Sequence, residues 1–362
     1  MEGLLPILAP GSGCSYHRLS LPLHEMGLTD EQFLGKNLFE EIIKCKILWF
    51  NRTPGNLNPE SLIALKKKYG FKIVMDLDDH WVLHPKHNLT RIWRLSDMQK
   101  TIPTFLEIAD TVIVTTSLLA DKVHPINSNV HVIPNALPYG TGQFINARLE
   151  SEFLRFLYAG GGSHLHDLKE LERPLFKTSN NPAFKMAQFI LCGYHAVEGH
   201  PESAIEWNKM EHAFNSNNKL RNYVRRTTLP LEEYMHHYWH SDVAIIPLEN
   251  NTFNPYKSNL KILEAGANDS AVIVSDVEPY SSFPNRDLLM FAHNTKTWYE
   301  HLEYCVKNPN FVIERGKALG EFVRDKYDLT KVNVYRKQLF ESLINESVGD
   351  EWANVGLIKT QK

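Results

Sequence analysis

Short aliphatic runs alternate with longer amphipathic stretches along this chain, and the alternation is run through twice. Residues 4–9, 46–50, 72–77, 111–115 and 130–133 form the first series, each run largely aliphatic or β-branched. Residues 156–160, 188–193, 242–247, 271–276 and 289–292 form the second. Runs of this length and composition suit strands buried on both faces. Between those of the first series, residues 57–69 and 103–109 carry apolar positions at helical spacing. The pattern predicts βαβ units and parallel sheets, an α/β fold. At roughly 150 residues per domain, a chain of 362 residues has room for two such units.

The break between the series lies at 134–142, where three glycines or prolines and an asparagine crowd into Pro134-Asn135-Ala136-Leu137-Pro138-Tyr139-Gly140. This places an N-terminal domain at 1–148 and a C-terminal domain at 149–328. From 329 the pattern starts no new strand. Val332, Tyr335, Leu339 and Leu343 mark one more helix, suited to packing back across the N-terminal domain, followed by a polar tail after 347.

Composition excludes some classes. A hydrophobic fraction of 43% with 22% charged residues is that of a globular protein with a sizeable core. A net charge of -3 argues against a protein that coats nucleic acid through general basicity, though not against a local basic cleft. Cys14, Cys45, Cys192 and Cys305 are far apart and without metal-type spacing, so reduced thiols of a cytoplasmic protein are expected. The first residues have no basic leader, and no run approaches the ~20 apolar residues of a membrane span.

In parallel sheets ligands bind beyond the carboxyl ends of strands, and the chemistry-bearing residues of this chain fall there. Gly11-Ser12-Gly13 follows the first strand, as a close backbone approach to a ligand or as a plain turn. Asp76-Leu77-Asp78-Asp79-His80-Trp81 ends the third strand. Its carboxylates read as an acid/base pair, as magnesium ligands, or as turn caps paired with Arg91 or Arg94. Gly160-Gly161-Gly162-Ser163-His164 joins a strand to a helix and offers free N–H groups to a phosphate, without the Lys-Ser/Thr ending of a P-loop. His164 is either a ligand contact or an exposed histidine. Asn254, Lys257, Ser258, Lys261 and Glu264 precede the buried run at 271–276. Asn254 or Ser258 is expected to cap a helix carrying both lysines on one face. Two cations near a positive helix end call for an anion such as a diphosphate, the alternative being a solvated basic face.

Taken in order, these segments resemble the family-4 group of GT-B glycosyltransferases. The resemblance rests on the early glycine loop, Asp76-Leu77-Asp78-Asp79, Val132-Ile133-Pro134-Asn135, Tyr158-Ala159-Gly160 with Ser163-His164 and Asp167, and the run from Pro247 through Lys257, Lys261 and Glu264 to Val272-Ile273-Val274. It implies two Rossmann-like domains facing a cleft and a retaining transferase. The donor, a UDP- or GDP-sugar, would be bound mainly by the C-terminal domain through Gly13, Gly161, Gly162, Ser163, His164, Asn254, Lys257, Ser258, Lys261 and Glu264. No metal is implied, because Lys257 and Lys261 would neutralise the leaving diphosphate, with Asp78 or Asp79 completing the catalytic set. Glu264 matches the family's ribose-binding glutamate. Tyr256 stands where the first glutamate of the family's spaced pair is usual, no Arg/Lys pair follows Gly160, and Asp78 or Asp79 replaces a histidine.

The acceptor implied is a glycan or lipid-linked glycan near Gly13, Arg18, Asp78 and Asp79. A modified DNA base, as in viral glucosyltransferases of this fold, fits the segment containing Trp81, Lys86, Arg91, Trp93 and Arg94. A sugar-nucleotide epimerase and a non-catalytic sugar-nucleotide-binding protein are the other readings.

Overall fold

The computed structural model describes residues 3–195 and 201–345. β1 (Leu4–Ile7), β2 (Ile47–Asn51), β3 (Lys72–Leu77), β4 (Thr111–Val114) and β5 (Val130–Val132) lie side by side in sequential order, all parallel. Alternate side chains along each strand feed opposite faces. Leu48, Phe50, Ile73 and Met75 pack with Leu62, Ile102 and Phe105 of the helices Pro59–Tyr69 and Met98–Ile108. Ile47, Trp49 and Val74 face a second cluster, which continues without a break into the other half of the molecule.

β6 (Leu154–Ala159), β7 (Ala187–Tyr194), β8 (Tyr223–Thr227), β9 (Val243–Ile246), β10 (Ala271–Ser275) and β11 (Met290–Ala292) form the second parallel sheet, in the order β11-β10-β9-β6-β7-β8. The chain reverses direction of assembly between β6 and β9. Such a reversal leaves a crevice at the carboxyl ends of the two strands, and it places the loop after β6 beside the loop after β9.

The apolar runs read from the sequence all become strands, shortened by one or two residues at some ends. β8 is the strand that reading missed. Its sequence, Tyr-Val-Arg-Arg-Thr, is polar because it is an edge strand with half-exposed side chains. The helix expected at 103–109 starts earlier, at Met98, and takes Pro103 into its interior.

The last described helix, Leu329–Asn345, packs on the first sheet. Phe340 meets Trp49 edge-on with ring centroids 5.0 Å apart, Asn333 donates to the Pro22 carbonyl at 2.8 Å, and Lys337 pairs with Glu25 at 3.2 Å.

A buried polar chain crosses between the two halves. The Arg18 guanidinium, 1% exposed, grips Asp76 of β3 through Nε (2.7 Å) and Nη2 (3.1 Å). It also donates to Asn135 Oδ1 and to the Ile133 carbonyl, both at 2.9 Å. Asn135 in turn donates to Ser258 Oγ at 2.8 Å, in the loop between Lys257 and Lys261. Arg18, expected beside an acceptor, is therefore committed to holding the fold. Breaking a buried ion pair from one side leaves the other charge stranded, at a cost of ~3–5 kcal/mol. Arg18→Met is expected to lose stability of that order in urea unfolding; a loss under about 1 kcal/mol, the worth of an exposed pair, would contradict this assignment.

Candidate active site

The loop after β6 can approach β7 only because both carry glycine. Gly193 has φ +100°, and a Cβ there would sit 2.5 Å from the Gly160 carbonyl oxygen. Gly160 is as constrained from the other side, since a Cβ would lie 2.8 Å from Tyr158 Oη and 3.0 Å from Lys261 Nζ. A lysine ammonium thus rests against bare glycine backbone, over the Tyr158 ring at 5.1 Å from its centroid. Tyr158 Oη is buried with no hydrogen-bond partner among the described residues. No described carboxylate lies within 4 Å of Lys261 Nζ, and burial pushes this ammonium down to about 8. A half-buried cation, an orphaned hydroxyl and a glycine loop converge on one point.

Asp167 joins the loops on the two sides of the crevice. Its Oδ2 bonds His164 Nδ1 at 2.6 Å, and its Oδ1 accepts from the Glu249 backbone N–H (2.8 Å) and from Asn254 Nδ2 (3.0 Å). Burial, then the charge of Lys261, push the His164 imidazole down to about 4, so it is neutral at physiological pH. Asn254, 4% exposed, also donates to the Glu249 carbonyl, and so braces its own loop.

The helix that carries Lys261 and Glu264 runs over Leu260–Ala267. This corrects the sequence reading in two ways. Lys257 is not on the helix but in an extended turn before it (φ -70°, ψ 173°), after a 3-10 turn over Asn254–Tyr256. Neither Asn254 nor Ser258 caps it: Asn259 stands at the N-cap without a side-chain capping bond, and Asn254 and Ser258 are otherwise engaged. Pro255 and the extended Lys257 delay the helix by a turn. The two lysines nevertheless face one cavity. Glu264, 3% exposed, accepts from Tyr238 Oη at 2.9 Å and lies 3.9 Å from His17 Nε2. Burial pushes its carboxyl up to about 7, against the pull of Tyr238 and Lys261. Burial, then Arg18, push His17 down to about 4, and its Nδ1 has no partner among the described residues.

The first sheet supplies the opposite wall. Asp78 and Asp79 lie there, but their cation is neither Arg91 nor Arg94, which are exposed. It is Arg52, which sequence reading missed. Asn51 of β2 is in register with Asp76 of β3, so the next residues of both strands meet. Arg52 adopts a left-handed backbone (φ 60°) and donates through Nε and Nη2 to the two oxygens of Asp78, each at 3.0 Å, and from Nη2 to Asp79 at 3.2 Å. Burial alone would raise the Asp78 carboxyl; Arg52 outweighs it, helped by the Cys14 thiol and Asn51, and holds it at about 2. Burial raises Asp79 above the ordinary carboxylate range, against Lys257, whose Nζ reaches across to it at 3.9 Å. The two neighbouring carboxylates are thereby made unequal. A polar run at the end of a strand beside an acidic strand end is the signal that would have found Arg52.

A cavity of about 330 Å³ opens between these walls. Gly13, Asp78, Asp79, Gly161, His164, Lys257, Ser258, Lys261 and Glu264 all line it. Gly162, Ser163 and Asn254 do not. Ser163 and Asn254 line a small adjoining recess with His84 and His87, and Gly162 turns toward Trp207. Among the described residues, no group of three or more His, Cys, Asp or Glu side chains is placed to hold a metal ion.

Residues 172–332 match the model of a family described as "Glycosyl transferase-like". Among solved structures, a glycosyltransferase from Rickettsia africae superimposes with TM-score 0.65 and 15% identity, over 95% of this chain and 98% of that one. Sucrose-phosphate synthase from Thermosynechococcus elongatus gives TM-score 0.63 and 16% identity over 88% and 81%. Anabaena HepE in complex with UDP-glucose gives 0.63 and 10% over 94% and 99%. No curated protein matches the chain. The chain has the GT-B fold.

In this GT-B fold the cavity wall formed by the second sheet carries one cation, Lys261, without a carboxylate within 4 Å among the described residues, and the opposite wall carries one carboxylate of raised proton affinity. Labelled-lysine NMR is expected to show one ammonium titrating near 8, absent in Lys261→Ala. Lysines that all titrate near their ordinary value of ~10.4 would contradict the environment described for Lys261.

Proposed function

We propose that this enzyme transfers a sugar from a nucleotide-sugar donor, with the diphosphate seated between the Gly160–Gly161 backbone, Lys261 and Lys257. In this reading residues 149–328 form the donor domain, residues 1–148 the acceptor side, and the helix after 329 a strap between them. The observation that carries it is Lys261: an ammonium held in a cavity with no carboxylate within 4 Å among the described residues, beside a Tyr158 hydroxyl that none of them pairs and a glycine loop that excludes a Cβ. Preorganised charge of this kind stabilises a departing diphosphate most where water is excluded. A metal ion has no necessary part in that step.

Glu264, partly protonated at neutral pH and deep in the same cavity, suits the hydroxyls of the donor ribose. A UDP-sugar is the first donor to test, since the fold relative HepE holds UDP-glucose; a GDP-sugar is the second. Asp78, committed to Arg52, fixes the acceptor wall, whereas Asp79 keeps one oxygen free of described partners and faces Lys257. Retention of configuration follows from the family resemblance. Free thiols at Cys14, Cys45, Cys192 and Cys305 suit a reducing, cytoplasmic setting.

Thermal shift and calorimetry with UDP, GDP and UDP-glucose test the reading, because a ligand bound only by the folded state raises its melting temperature. Lys261→Ala and Glu264→Ala are each expected to weaken donor binding about 10- to 100-fold, the ~1–3 kcal/mol of a charged hydrogen bond. Unchanged affinity in both removes the site assignment. Asp79→Asn is expected to reduce transfer far more than donor affinity.

The pH dependence has a defined sign. An anion prefers protonated Lys261, which below about 8 is already charged in the free enzyme. Above that pH, binding must take up a proton, so affinity is expected to fall toward tenfold per pH unit. Lys261→Ala removes that fall, and a wild-type affinity flat from pH 7 to 10 contradicts the proposal.

A further inference from the structure

A second cavity, of about 210 Å³, lies in the first domain beyond Cys14, which lines both it and the interdomain cavity. It sits at the carboxyl ends of β1 and β2, and Arg52, bonded to both Asp78 and Asp79, forms part of its wall. Its walls are chemically one-sided. Ile7, Leu8, Met98 and Ile102 supply aliphatic surface. Trp93 turns its indole N–H to the Trp81 carbonyl at 2.8 Å, leaving ring carbon to the cavity.

The charged and amide donors at the rim are mostly turned away from the cavity, which leaves the hydroxyl donors of Ser12, Ser15 and Thr53 and the Arg52 Nη1 without a bond among the described residues. Arg52 spends Nε and Nη2 on Asp78 and Asp79. Asn51 gives its amide to the Asp76 carbonyl and to Asp78. Ser15 Oγ accepts from the Ala9 N–H at 3.0 Å and Ser12 Oγ from the Ser15 N–H at 3.3 Å. A sugar or a nucleobase entering here would leave most of its own donors and acceptors unpaired, which costs ~1–3 kcal/mol for each buried group. An apolar body strands none of its own groups and meets aliphatic and indole surface on Ile7, Leu8, Met98, Ile102 and Trp93.

We infer that this cavity receives a compact apolar portion of the acceptor, about one ring in size, whose hydroxyl is thereby presented toward Asp79 and the donor. The cavity is smaller than the ~300–1,000 Å³ of ordinary small-molecule pockets, which limits the apolar portion to one ring or a short aliphatic chain. The inference rests on the glycosyl-transfer reading for the word acceptor. It departs from a glycan or a modified base as the group bound.

The test uses the full chain and ligand-observed NMR with four probes: benzyl alcohol, 1-hexanol, methyl α-D-glucopyranoside and 5-hydroxymethyl-2′-deoxycytidine. At least one of the two apolar probes is expected to bind more tightly than both polar ones, and which of them does so tells an aromatic from an aliphatic occupant. Ala9→Phe and Met98→Trp, two independent fillings of the cavity, are each expected to weaken that binding at least tenfold while leaving UDP affinity unchanged. Lys261→Ala is expected to do the reverse. Tighter binding of the glucoside or the nucleoside, no binding of either apolar probe, or apolar binding unchanged in both filled variants overturns the inference. Wild-type protein that binds benzyl alcohol but no nucleotide instead overturns the donor reading and leaves the apolar cavity standing.

Discussion

The buried grip of Arg18 on Asp76 is the interaction on which the rest of the cleft depends. Asp76 lies near the end of β3, just before the carboxylates of the first-domain wall, and the same guanidinium holds Asn135, whose amide reaches Ser258 between the two lysines of the facing wall. One side chain thus sets the strand end of the first sheet, the linker and the turn of the second. An isolated buried charge is expensive, so the arrangement tolerates little displacement of any member. A cleft built from two separately folded sheets needs such a connection if charges on its facing walls are to stay within reach of each other.

On that frame the charges are distributed unevenly. Arg52 neutralises Asp78 and partly neutralises Asp79, Lys257 spans the cleft to Asp79, and the two cavity histidines stay neutral because they are buried beside cations. Lys261 has no carboxylate within 4 Å among the described residues, and Glu264 remains close to protonation. Two groups of shifted proton affinity in one cavity are the signature of a candidate functional site. An incoming diphosphate would raise the proton affinity of Lys261 back toward that of an ordinary lysine and compete with Asp79 for Lys257.

Much of this was legible in the sequence, for definite reasons. Strands buried on both faces announce themselves as apolar runs, so most strands of both sheets were visible, whereas β8, a polar edge strand, was not. Lys257, Lys261, Glu264, Asp78 and Asp79 stood out because charge at strand ends and helix starts is unusual, and all five meet at one cavity. What could not be read was partnership across the sheet. Arg52 lies in an ordinary turn sequence and acquires its role only through the register of β2 against β3. The helix start was misjudged because Pro255 and the extended Lys257 postpone it, although periodicity alone favoured an earlier beginning. Nothing in the sequence distinguishes Tyr158 and Tyr238; only the fold reveals that one hydroxyl has no partner among the described residues and that the other holds Glu264.

A crystal structure of the complex with UDP examines the proposed seat of the diphosphate directly. The diphosphate is expected within hydrogen-bond reach, ~2.7–3.2 Å, of Lys261 Nζ and the Gly161 backbone N–H, with Lys257 drawn off Asp79 onto the phosphates. UDP bound with its phosphates outside the cavity, or with Lys261 still lacking an anionic partner, would contradict it.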